Sequence, residues 1–141
     1  MVDGCLFCRI VAEEEPAYVV WRDDDTVAFL DTRPVFKGHV LLVTRKHIDT
    51  LVDLPDELVT PLLGTARRLA AVMVTALGSQ GSFVAVNNVV SQSVPHLHVH
   101  VVPRTKGDGL RGFFWPRTKY ADEADATDYA TRITAALAAG T

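Results

Sequence analysis

The sequence predicts an α+β fold, with a mainly antiparallel sheet of about five strands, one long helix and a C-terminal helix. Three observations carry this. Short β-rich runs follow one another in hairpin order, a single long stretch has helical apolar spacing, and the two patterns are segregated along the chain.

Ala17 to Arg22 and Thr26 to Leu30 are β-rich, and Asp23-Asp24-Asp25 between them reads as a hairpin turn. His39 to Thr44 is a buried-strand candidate entered through Lys37-Gly38. Asp53-Leu54-Pro55-Asp56-Glu57 is a helix start signal, after which Leu58, Leu62, Leu69, Met73 and Leu77 fall on roughly one stripe. Pro61 is discordant, because inside a helix it removes the bond to the Glu57 carbonyl. A later start or a bend is therefore expected, and Gly78 ends the helix. Ser82 to Asn87 and Leu97 to Val102 read as further strands around a polar loop, Asn88 to Pro95. Arg104 to Lys119, with Gly107, Gly109, Gly112, Pro103 and Pro116, is expected to be irregular. Ala126, Tyr129, Ala130, Ile133 and Leu137 fit a closing amphipathic helix.

The 141 residues are expected to form one domain, 1–141. Hydrophobic residues at 48% and charged residues at 22% exclude global disorder, and a net charge of -3 argues against nucleic acid as a partner. The longest nearly apolar run, Leu69 to Leu77, is too short to span a bilayer, so no membrane partner is expected. Met1 to Gly4 shows no basic region leading into an apolar stretch, and a cytoplasmic location is the default.

The most informative segment is His96-Leu97-His98-Val99-His100-Val101-Val102. On a strand, His96, His98 and His100 share one face and the apolar residues the other, with neighbouring histidines roughly 7 Å apart. Such a row suits metal ligation or attack by a neutral imidazole. The row by itself leaves both open. Cys5-Leu6-Phe7-Cys8 supplies two thiols from one knuckle, a common half of a zinc site, and His47 is a further candidate ligand. Its redox alternative is weak, because no strand-to-helix context surrounds the pair.

Residues 96 to 102 resemble the His-x-His-x-His-x-x signature of the histidine-triad (HIT) family. The resemblance extends through Gln92-Ser93-Val94, Phe29-Leu30-Asp31, Gly38 to Val43, Lys46-His47-Ile48 and Cys5 to Ile10, covering about 5–104. The loop from Asn87 to His96 is shorter than is usual in the family, with Val89-Val90 and Ser91 where small polar residues and glycine are common.

The resemblance implies a homodimer that binds nucleotides, adenine most often, and cleaves phosphoramidates or dinucleoside polyphosphates through a nucleotidyl-histidine intermediate. His98 takes the place of the nucleophile, with His100 and His39 as further active-site histidines. Asp31 matches the carboxylate that holds the ribose, and Phe7, Ile10 and Phe29 lie near the base. Asn87, Gln92 and Ser93 match residues that contact the phosphate or assist the leaving group. In bacterial members with this N-terminus, the resemblance implies a structural zinc held by Cys5, Cys8, His47 and His96, and no organic cofactor. Two rival readings remain at this level. One is a zinc hydrolase with His96, His98 and His100 around a catalytic metal, the other a nucleotide-binding regulator with negligible turnover. The basic segment with Phe113, Phe114 and Trp115 is expected to border the phosphate site or a dimer interface.

Overall fold

The computed structural model describes residues 1–110 and 117–140. The segment holding Phe113, Phe114 and Trp115 lies outside the described residues. Two compact units result, Met1–Asp108 and Gly109–Thr141.

The first unit is built on five antiparallel strands in the order β1-β2-β3-β5-β4. These are β1 (Val19–Arg22), β2 (Thr26–Leu30), β3 (Val40–Thr44), β4 (Gly81–Ala85) and β5 (His98–Arg104). The β1–β2 turn is held by Asp23, whose Oδ1 accepts from the backbone N–H groups of Asp25 and Thr26. Those bonds outweigh burial and hold its carboxyl below the usual range.

Alternation along the strands sorts side chains into two clusters. Ala28, Leu42 and Val99 lie in register on one face, with Leu97 and Val101 in the same cluster. That face packs on α2 (Asp56–Leu77), through Leu62, Ala66, Leu69 and Met73. On the opposite face Phe29, Leu41 and Val43 pack with Phe7, Cys8 and Ile10 of α1 (Leu6–Val11). Removing both faces from water is the main stabilising term, at about 25 cal/mol per Å² of apolar surface.

α1 is absent from the sequence-based expectation. Its six residues are too few to show a helical period, and the turn is capped by Cys5, whose Sγ accepts from the Cys8 N–H. The helix α2 starts at Asp56, so Pro61 does not delay it. The carbonyl it frees belongs to Glu57, which is exposed and open to water. Gly78 ends α2 in the left-handed region, as its position suggests. Leu77, expected on the buried stripe, is 54% exposed at the last residue of the helix, one turn beyond Met73. By length and composition α2 could cross a bilayer, but its apolar stripe is occupied by the sheet.

The second unit contains α3 (Glu123–Ala138), whose N-cap Asp122 accepts from the Asp125 N–H. Within it, the Arg132 guanidinium lies over the Tyr129 ring and pairs with Asp128.

Candidate functional site

The histidine face of β5 and the inner side of α1 enclose a cavity of about 430 Å³. Its wall includes Phe7, Ile10, Phe29, Asp31, His98 and His100, and Ser93 also reaches it. Phe7 joins the histidines to the apolar part of the wall. Its ring meets His98 edge-on at 5.0 Å and Phe29 at 5.4 Å. A larger apolar groove over α2, lined by Trp21, Val40, Arg68 and Met73 among others, holds no histidine, cysteine or carboxylate among the described residues.

The backbone decides which histidine nitrogens carry protons. His98 Nδ1 lies 2.7 Å from the His96 carbonyl, which can only accept. The neutral ring therefore donates from Nδ1 and keeps its lone pair on Nε2. A second chain of bonds runs the other way. The Val35 N–H donates to His39 Nδ1 at 3.1 Å, so the His39 proton sits on Nε2 and is given to His100 Nδ1 at 3.0 Å. His100 must then carry its own proton on Nε2. Among the described residues that nitrogen is the one buried side-chain polar atom without a hydrogen-bond partner. An orphaned buried donor is costly and points to a missing acceptor. The site thus presents a lone pair on His98 beside a donor on His100, with ring centroids 5.0 Å apart.

Burial pushes His39 down, and burial with the neighbouring His98 and His39 pushes His100 down to about 4. Asp31 Oδ2, 3.7 Å from His39 Nδ1, works against both shifts without reversing them. Asp31 Oδ1 accepts from the Arg33 N–H at 2.9 Å, which fixes the carboxylate at the cavity wall.

Gln92 and Asn87 are placed elsewhere. The Gln92 amide is spent on the loop, accepting from the Val89 N–H and donating to the Asp49 carbonyl. Asn87 is exposed and does not line the cavity; its neighbour Asn88 accepts from the Leu51 N–H. The loop before His96 carries Val89 and Ser91 at positive φ, 67° and 62°, the conformation glycine serves at no steric cost. Leu6, Glu15 and Val94 line the cavity without having been named as site residues; Leu6 lies inside the Cys5–Ile10 motif and Val94 inside Gln92-Ser93-Val94, whereas nothing in the sequence pointed to Glu15.

Behind the cavity, Cys5, Cys8, His47 and His96 bring one ligand atom each within 4.8 Å of one another. His96 Nδ1 is 3.5 Å from Cys5 Sγ and 3.6 Å from Cys8 Sγ, and His47 Nδ1 is 3.2 Å from Cys8 Sγ. Tetrahedral zinc with its usual bond lengths puts sulfur and nitrogen about 3.6 Å apart. Both imidazoles are held from the far side: His96 Nε2 lies 2.8 Å from the Thr44 carbonyl, and His47 Nε2 lies 2.8 Å from Asp49 Oδ1. Those acceptors take the ring protons and turn both Nδ1 lone pairs on the sulfurs, the arrangement found behind metal-bound histidines. The donor set fits zinc. The grouping also separates His96 from His98 and His100, which removes the reading of three strand histidines around one metal.

A family model described as HIT domain matches residues 12–107. The chain belongs to the HIT family. An HIT-like protein of Methanocaldococcus jannaschii is 38% identical over 107 residues, covering 74% of this chain and 82% of its own length. An adenylylsulfatase of Arabidopsis thaliana is 32% identical over 110 residues, covering 77% of this chain and 56% of that protein. Among solved structures, a zinc-bound histidine triad family protein from Mycobacterium smegmatis matches with a TM-score of 0.73 and 31% identity, over 94% of this chain and 97% of that one. The antiparallel five-stranded architecture is that of the HIT fold.

The depressed histidines link stability to pH. Unfolded, His39 and His100 take protons near pH 6.5, whereas folded His100 resists down to about 4. The unfolded chain therefore binds more protons between those values, and stability falls as pH drops from about 6.5 toward 4. Melting curves at pH 7, 6 and 5 are expected to show that decline, with a shallower slope in His100→Gln. A His100→Gln slope as steep as the wild type's counts against the burial argument.

Proposed function

We propose that this HIT protein is a nucleotide hydrolase or nucleotidyltransferase acting on nucleoside phosphoramidates or dinucleoside polyphosphates. The observation that carries the reading is the pairing of a lone pair on His98 Nε2 with an unpartnered donor on His100 Nε2 at the wall of one cavity. His98 attacks the α-phosphorus, forming a phosphorus–nitrogen bond as the amine or the nucleoside polyphosphate leaves. Water then cleaves that bond and releases the nucleoside monophosphate. The His100 N–H meets an equatorial phosphoryl oxygen whose negative charge grows in each transition state. His39 holds His100 in the donating tautomer. Asp31 accepts from the ribose hydroxyls, Phe7, Ile10 and Phe29 flank the base, and Ser93, which lines the same cavity, gives a proton to the leaving group. The adenylylsulfatase relative supports chemistry at an adenylyl phosphorus.

A structural zinc on Cys5, Cys8, His47 and His96 completes the reading, supported by the zinc-bound relative. Bound there, the metal supplies charge compensation for two buried thiolates and a closed cross-link from α1 to the sheet. Burial and the neighbouring Cys5 otherwise push the Cys8 thiol up, so the thiolate form needs such a cation.

A homodimer is the expected assembly. β4 is an edge strand, and Val84 with Leu51, Val59 and Leu63 leaves an apolar surface beside it.

Release of nucleoside monophosphate from an adenosine phosphoramidate and from diadenosine tetraphosphate is the direct test. His98→Ala is expected to lower turnover by roughly a thousandfold or more while still binding AMP. Binding without release by the wild type favours the regulator, and turnover that survives His98→Ala overturns the mechanism. Chelation is expected to lower Tm by about 10 °C or more, with Cys8→Ser melting low and ignoring the chelator. An unchanged melt after one zinc per chain has been removed sinks the structural site. Sedimentation should give twice the 15.4 kDa chain mass, and Leu63→Asp should halve it. A wild-type monomer at micromolar concentration rejects the dimer.

A further inference from the structure

The far end of the cavity holds a carboxylate that the reaction does not use. Along α1 the wall runs from Phe7, whose ring touches His98, to Ile10 one turn further from the histidines. Beyond the helix comes Glu15, whose backbone N–H bonds the Arg9 carbonyl. The strand side runs the same way, because the Leu30 N–H bonds the Tyr18 carbonyl and brings Ala17 alongside Asp31 and Thr32. A nucleotide with its phosphate at His98 and its ribose at Asp31 therefore carries its base toward Glu15. The surrounding wall there is mostly apolar, with Ile10, Pro16, Ala17 and Leu30.

Glu15 is not consumed by its neighbours. Its contact with Arg9 runs from Oε2 to Nε at 3.5 Å, and both side chains are about 40% exposed, so the pair is loose and involves one oxygen. A carboxylate accepts and cannot donate. Guanine offers it two adjacent donors, N1–H and the N2 amino group, which match two carboxylate oxygens. Adenine offers one amino group set between two ring acceptors, whose lone pairs face the same oxygens unfavourably.

We propose that Glu15 reads the base and makes this site prefer guanine nucleotides over adenine nucleotides. The proposal rests on the hydrolase reading above and departs from the adenine preference that the family resemblance implies. The apolar slot accepts either purine by shape, and the carboxylate supplies the discrimination.

The test pairs binding with turnover. GMP, IMP and AMP are titrated calorimetrically into the wild type, Glu15→Ala and Glu15→Gln, and guanosine and adenosine phosphoramidates are compared as substrates. The wild type is expected to bind GMP about tenfold tighter than AMP, with IMP between them because it lacks the N2 amino group. Glu15→Ala should bring the GMP-to-AMP ratio close to one by weakening GMP. Glu15→Gln should also lose most of the GMP preference while keeping purine affinity, since an amide can pair with adenine at N1 and N6–H and with guanine at O6 and N1–H. Loss of discrimination with purine binding kept is not expected of a residue that merely supports the fold. Equal binding of GMP and AMP by the wild type, or a ratio that neither variant moves, overturns the assignment and leaves the hydrolase reading intact. Failure of every nucleotide to bind overturns both.

Discussion

His96 ties the thiol cluster, the end of β3 and His98 together. Its ring is fully buried, fixed at Nε2 by the Thr44 carbonyl at the end of β3 and turned at Nδ1 onto Cys5 and Cys8. Its backbone carbonyl meanwhile accepts the hydrogen bond from His98 Nδ1. The thiol cluster, the β3–β5 pairing and the protonation pattern of the proposed nucleophile thus share one residue. Displacing the ring disturbs the strand start, and displacing the strand start frees the His98 ring to change tautomer. A buried imidazole is costly to desolvate, and burial does push His96 down. Its hydrogen bonds and its sulfur partners offset that cost.

The second constraint is the direction of proton donation. Both ordered histidine systems begin at backbone groups with no freedom of choice: the His96 carbonyl for His98, and the Val35 N–H for His39 and then His100. A peptide N–H can only donate and a carbonyl can only accept, so each ring's tautomer follows from its position. The low pKa of His100 belongs with this arrangement, because a neutral ring can keep an acceptor at Nδ1 and a donor at Nε2. Such preorganisation lets a site meet developing charge without reorienting dipoles during reaction.

The loop before β5 shows where stability is surrendered locally. Val89 in the left-handed region costs roughly 1–2 kcal/mol. Gln92 and Asn88 hold the loop against that strain through bonds to Val89, Asp49 and Leu51. Asp49 also receives His47, so the loop and the thiol cluster are braced on one residue. The Gln92 side chain is thereby committed to the shape of the loop.

Sequence by itself determined the elements whose signals are periodic or local. The alternation of His96 to Val102 dictated one polar and one apolar face, the stripe on α2 dictated the helix that covers the apolar face, and Gly78 marked its end. Resemblance of the signature dictated the family. Tertiary structure alone decided what the polar face would meet. A six-residue helix carries too short a period to be read, yet α1 closes the cavity and brings Phe7 to His98. Hydrogen bonds between residues far apart in sequence, such as His39 with His100 and His96 with Thr44, gave the histidines of one strand face different partners. The same long-range packing drew Gln92 away from the cavity and placed Glu15 in its wall. Spacing along a chain fixes which face a side chain takes, whereas its partner depends on which distant segment folds over that face.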